Sequence, residues 1–210
     1  PTVELQQASG EIGEAIDAGR VVPAPIRKQL RTLLTELATG DIYDLQERYV
    51  LLFDRTRTLS LHMFEHVHGE SRDRGQAMID LKAQYENANL FMSAAELPDF
   101  VPLFLEYLSM LPAQEAYDTL GQPAHIFAAM AERLRKRESS YEAVFRALVA
   151  LAAAKPKHDE ISALLTLPEP DATDLAALDA AWEDEAVTFG PGATDGCKDG
   201  LMARVRGGLR

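Results

Sequence analysis

Cysteine is almost absent: the 210-residue chain holds one, Cys197. A single thiol makes no internal disulfide and cannot ligate an iron–sulfur cluster. Nor is there a run of roughly 18 apolar residues, so no membrane-spanning segment is predicted. The opening Pro1-Thr2-Val3-Glu4-Leu5 lacks a basic stretch followed by an apolar one, which predicts no secretion signal and a cytoplasmic protein. Met is missing from position 1, which leaves room for residues upstream. Positive charge is scarce, with 21 Lys and Arg against 33 Asp and Glu and a net charge of −12. That field repels phosphate backbones and argues against nucleic acid as a partner. The local exception, Arg133, Arg135, Lys136 and Arg137, falls at the end of a predicted helix, where cations complement the C-terminal partial charge. Val and Ile total only 17 against 59 Ala and Leu, which favours helix and leaves little for a sheet.

What is present has helical period. Asp41 can cap a helix with Ile42, Leu45, Tyr49 and Leu52 on one stripe. Phe100, Leu103, Phe104, Tyr107, Leu108 and Leu111 fall on a second, a strong match to the helical repeat. Ser139 and Glu142 have capping-box spacing and open a third run with Tyr141, Val144, Phe145 and Leu148. Breaks are expected at Gly19, Gly40, Gly69, Leu97-Pro98-Asp99, Pro112, Gly121-Gln122-Pro123 and Lys155-Pro156. The expected fold is all-α: one helical bundle of at least six helices over 1–189, with one core. From Lys155 to Glu185 nine acidic residues face two lysines, and six of the 13 glycines crowd into the last 21 residues. Residues 190–210 are therefore expected to be a flexible Gly-rich tail.

The unusual stretch runs from Asp54 to Lys82, with three of the five histidines inside seven residues. His62-Met63-Phe64-Glu65-His66 matches the H-x-x-E-H pattern of inverted zinc peptidases. On one helix His62 and His66 could chelate zinc while Glu65 polarises a water, giving a zinc-dependent hydrolase as the alternative reading. The plainer reading packs either histidine against neighbouring helices with its ring nitrogens hydrogen-bonded. Ser60 and Ser71 lie in no nucleophile elbow, and acidic surroundings disfavour a Cys197 thiolate. Gly69 to Gly75 lacks the Lys-Ser/Thr of a phosphate loop, so Ser71 is expected to cap a helix from Arg72 to Asn87. No catalytic constellation, metal or cofactor is assigned.

The run Arg57-x-x-Ser60-Leu61-His62-x-Phe64-Glu65-His66-Val67-His68-Gly69-Glu70-Ser71-Arg72-Asp73-Arg74-Gly75-Gln76-Ala77-Met78 resembles the signature of the NarJ-type nitrate reductase assembly chaperones. Glu96-Leu97-Pro98-Asp99-Phe100 through Leu108 resembles that family's second motif, and Trp182 to Phe189 its acidic C-terminal stretch. The resemblance implies a helical, TorD-like maturation factor of the wider TorD/DmsD/NarJ group, not an enzyme. Such a protein binds the N-terminal segment of the nitrate reductase catalytic α subunit. It keeps that subunit competent for molybdenum cofactor insertion and stays out of the finished enzyme. Molybdenum cofactor delivery proteins are implied as further partners. Many relatives carry His where Phe100 stands, so that residue's role does not transfer. The family's usual opening helix, ending Tyr-Pro, is absent or cut at Pro1.

A groove for an amphipathic peptide helix needs an apolar floor and a polar rim. Leu61, Phe64, Phe104 and Tyr107 are the candidate floor, although Leu103 and Phe104 also suit a core stripe. His66, His68, Glu70, Arg72, Asp73 and Asp99 are the candidate rim, with Pro98 beside it. Asp99 alternatively caps the helix that follows, and Asp73 and Arg74 also read as plain exposed charges. Acidic rim groups suit a basic leader segment, and the histidines would make its affinity depend on pH.

Overall fold

In a computed structural model of the chain, residues 1–67, 72–92 and 96–166 are described, with Arg72 and Asp73 as backbone only. All of them fall within one compact unit, Pro1–Thr173. The second unit, Asp174–Arg210, lies outside the described residues, and with it the expected boundary at 189, the Gly-rich tail and the acidic Trp182 stretch.

Among the described residues ten α-helices follow one another: α1 (Val3–Gly19), α2 (Ala24–Thr39), α3 (Ile42–Phe53), α4 (Met63–Val67), α5 (Arg72–Asn87), α6 (Val101–Met110), α7 (Ala113–Leu120), α8 (Ala124–Lys136), α9 (Glu142–Leu151) and α10 (His158–Leu165). A single 3-10 turn, Arg57–Leu59, precedes α4. No strand occurs among the described residues, only an isolated antiparallel bridge between His62 and Phe100. The fold is all-α, as the Ala/Leu bias predicts.

Local chemistry explains most helix ends. Asp41 caps α3 through its side chain, which accepts from Tyr43 N at 2.9 Å. Gly40 closes α2 because a Cβ there would lie 2.9 Å from Glu36 O and 3.2 Å from Leu45, so only glycine fits the approach. Gly19 is the last residue of α1, but the left-handed position is the next residue, Arg20 (φ 51°). The expected capping box does not form. Tyr141 occupies the N-cap of α9 without a side-chain bond, and Ser139 Oγ is buried with no hydrogen-bond partner among the described residues. Ser140 instead donates to Glu36 at 2.6 Å, which turns the loop toward α2.

The core centres on α8, which buries Ile126, Phe127, Ala129, Met130 and Leu134 on more than one face and packs against both α9 and α10. The three expected stripes converge there through Leu45, Leu52, Phe104, Leu108, Phe145 and Leu148. Phe53 meets Tyr141 edge-on at 5.2 Å, a favoured aromatic geometry. One core was expected, but two clusters are present. Val22, Ile26 and Leu30 pack with Ala143 and Ala147 in a second, and Val144 and Leu151 touch both. The reason lies in α9, whose large residues face α8 and whose alanines let α2 approach the opposite side.

Arg133 also departs from expectation. It is no surface cation but a fully buried one. Its guanidinium donates to Thr58 O at 2.7 Å and to Leu164 O at 2.5 Å, tying the 3-10 turn and the end of α10 to α8.

Candidate functional site

The short α4 cannot hold itself. A five-residue helix leaves its first backbone N–H groups without intrahelical partners. Asp99 supplies them from 35 positions away: its carboxylate accepts Phe64 N at 3.0 Å, and its carbonyl accepts Met63 N at 3.0 Å. Val101 N returns a bond to Leu61 O at 2.8 Å, completing the bridge that joins the histidine-rich stretch to the start of α6. The two segments that stood out in the sequence are therefore one structural unit.

His62 sits at the centre of the junction. Its backbone N–H donates to Ser60 Oγ at 3.2 Å, and its ring lies 5.4 Å from the Phe100 ring. Its Nδ1 is 3.3 Å from the second oxygen of Asp99. Tyr85 completes the frame from α5 by donating its hydroxyl to Pro98 O at 2.7 Å, with its ring 4.8 Å from that of Tyr107. Burial, the charge of Asp99 and the neighbouring Tyr107 all push the Tyr85 phenol well above its ordinary pKa, so it stays a donor. Arg74 reaches Glu65 at 3.3 Å and pins α5 to α4.

Several expected positions are corrected. Asp99 is neither a rim group nor the cap of α6; it is 0% exposed, and α6 has Phe100 at its N-cap with no side-chain bond. The carboxylate is drawn inward because the N–H of Phe64 needs it. His66 is likewise no rim group. It is buried at 8%, and its Nε2 donates to Ser60 O at 2.9 Å. Burial first, then the charge of Arg133, hold its pKa below the usual value against the opposing Ser60 bond and the Glu65 and Asp99 charges. Phe104 and Tyr107 form no open floor, since both lie in the main core at 3% and 6% exposure, and Pro98 is buried beside Tyr85. Leu61 and Phe64 are half-buried against that core. His68, Glu70 and Ser71 lie outside the described residues, as do the side chains of Arg72 and Asp73.

The zinc hydrolase reading finds no support. His62 precedes α4, so the two histidines do not share a helix, and both rings are already engaged with Asp99 and Ser60. Among the described residues no group of three or more His, Cys, Asp and Glu could hold a metal ion. No described helix is long and apolar enough to cross a membrane.

Sequence reasoning missed Tyr85 and Arg133 as members of this frame. The one available signal for Arg133 was its place among the apolar positions of α8, at the spacing that buries Phe127 and Met130.

Comparison with known proteins places this geometry in context. The family model described as nitrate reductase delta subunit matches residues 20–147, which include the whole junction. The nitrate reductase molybdenum cofactor assembly chaperone NarJ of Escherichia coli K12 is 45% identical over 202 residues, 96% of this chain and 84% of that protein. The probable chaperone NarW of the same organism, named for the same assembly, is 46% identical over 153 residues, covering 73% of this chain and 66% of that protein. A probable NarJ chaperone of Bacillus subtilis is 29% identical over 125 residues, or 60% of this chain and 68% of that protein.

Proposed function

Since the chain belongs to the nitrate reductase delta subunit family, we propose that it is a chaperone of nitrate reductase assembly which captures the N-terminal segment of the catalytic α subunit. It holds that subunit competent for molybdenum cofactor insertion, in the cytoplasm, and leaves before the enzyme is complete. It catalyses no reaction of its own. Molybdenum cofactor delivery proteins are its second class of partner.

The observation that carries this reading is the junction itself. The histidine-rich segment and the Leu97-Pro98-Asp99 motif, the two stretches with the strongest family resemblance, are knitted together by Asp99. They form a surface with Leu97 exposed at 43% and Leu61, His62 and Phe100 half-exposed. A mixed apolar and polar surface of this kind suits a short amphipathic segment. The strongly acidic chain would also speed the approach of a basic one.

Capture of the partner from cells growing on nitrate without oxygen tests the proposal. Recovery of cofactor-free α subunit supports it. A second reading draws on the word subunit in the family's description: the chain would then remain in the mature reductase. Stable co-purification with the finished, cofactor-loaded enzyme would favour that reading and overturn the chaperone.

A further inference from the structure

Asp99 and His62 divide one task between them. Asp99 is wholly buried and spends one carboxylate oxygen on Phe64 N and the other on His62 Nδ1, so it has no surface to offer a partner. A carboxylate accepts only, so the proton of that contact sits on Nδ1, and whenever the ring carries one proton Nε2 is left as an acceptor. Nε2 bonds to no described residue and is not one of the buried unsatisfied atoms, so it faces solvent. The His62 side chain is 28% exposed. Its ring cannot swing freely: the bridge to Phe100 fixes its backbone, the Phe100 ring lies against one face, and Asp99 sets its rotation. A polar atom so fixed, on a bridge to Phe100 whose own N–H bonds the carbonyl of exposed Leu97, is preorganised for recognition.

We infer that His62 is the polar contact for the captured segment, its Nε2 accepting a hydrogen bond from an N–H or hydroxyl donor of that segment. Asp99 is a positioning residue, acting on binding through the His62 ring. The inference rests on the proposed capture of the α-subunit N-terminus and names the chemistry of that capture.

The test uses the full chain, its imidazoles labelled with 15N, and a synthetic peptide of the α-subunit N-terminus. In the free protein the His62 signals should show the proton on Nδ1. Saturating peptide should move the Nε2 resonance in the direction of an accepted hydrogen bond while Nδ1 stays protonated. In calorimetry His62→Ala should weaken binding about 5- to 10-fold, the range of one lost hydrogen bond. His62→Gln should recover part of that loss. Asp99→Asn, which still accepts Phe64 N, should weaken binding in the native background but add nothing to His62→Ala. An unmoved Nε2 resonance with peptide bound, or native affinity in folded His62→Ala, overturns the role of His62. Additive losses overturn the positioning role of Asp99. Should His62→Ala fail to fold, the labelled native protein decides alone. Failure of the native chain to bind the peptide overturns the capture reading itself, an outcome distinct from binding with an unmoved ring.

Discussion

Two regions of this molecule are equally well buried at their centres, but different forces hold them. Around α8 the contacts are apolar: Phe127, Ala129, Met130 and Leu134 are inaccessible to solvent and touch the stripes of α6 and α9. At the junction of residues 57–67 with 96–104, apolar Leu59 is inaccessible too, but so are the charged Asp99 and, from α8, Arg133, with His66 nearly so. There the backbone is irregular, so only some of its N–H and C=O groups pair with one another, as Met63 N does with Asp99 O and Val101 N with Leu61 O, and side chains pair with others, as at Phe64 N, Ser60 O and Thr58 O. Apolar burial is forgiving about exact position, whereas a bond to one carbonyl is not. The contrast teaches why the polar junction, and not the apolar centre, is the region able to fix a ring such as His62 at a set orientation.

Substitutions should break that contrast on each side. The largest effect belongs to the apolar centre. Phe127→Ala removes a fully buried ring and should cost about 3–5 kcal/mol, read from chemical denaturation. Next comes Arg133→Met, which keeps the length of the side chain but leaves Thr58 O and Leu164 O without their donor. It should cost about 2–4 kcal/mol despite the gain in apolar character. Equal stability of Arg133→Met and the native protein would show that the bonds of the junction add nothing to packing.

Asp99→Ala follows, at about 1–3 kcal/mol, because it orphans Phe64 N at the start of α4 and frees the His62 ring. Its effect should be local. Amide exchange of α4 should speed up while α8 and α9 keep their protection. Uniform acceleration across all helices would mean that the junction is not a separate unit of stability.

These expectations also mark what can be read in a sequence. The Asp41 cap and the Phe104, Tyr107 and Leu108 stripe depend on neighbours within one or two turns, so spacing alone locates them. Asp99 looks like a cap for the helix that follows it, and only the fold shows that it caps a helix 35 positions earlier. Arg133 bonds to a carbonyl 75 positions away, and nothing in its own neighbourhood announces that. The segments that make the candidate site were therefore legible. Which of their groups turn inward was not, since an orphaned backbone N–H is a property of the fold.

Acid should act on the junction and spare the apolar centre. His66 is held below the ordinary histidine pKa of about 6.5, chiefly by burial. The unfolded chain thus takes up its proton first as pH falls, and protonation favours unfolding. The stability contributed by neutral His66 is complete above about pH 6.5 and is lost as pH drops from there toward the lowered native value. The slope in that window should not exceed about 1.4 kcal/mol per pH unit for this one group. His66→Gln should flatten it, measured as denaturation midpoint against pH. An unchanged slope would move the acid sensitivity to other groups.

The smallest expected effect is the sharpest test of how the two regions differ. If Ser139 capped α9, as its spacing with Glu142 suggests, Ser139→Ala would cost about 1 kcal/mol. In the structure Ser139 Oγ is buried without a partner among the described residues, while its backbone carbonyl accepts Glu142 N at 3.0 Å, a bond that alanine makes equally well. Removing an unsatisfied hydroxyl from a buried place relieves a desolvation cost. Ser139→Ala should therefore be neutral or stabilising, within about 0.5 kcal/mol of the native protein, when denaturation curves are compared. Ser140→Ala is the contrasting control, because its hydroxyl bonds Glu36 at 2.6 Å and its loss should be felt. A cost of about 1 kcal/mol at Ser139 with none at Ser140 would place the capping oxygen one residue earlier and restore the local signal that the fold overrode.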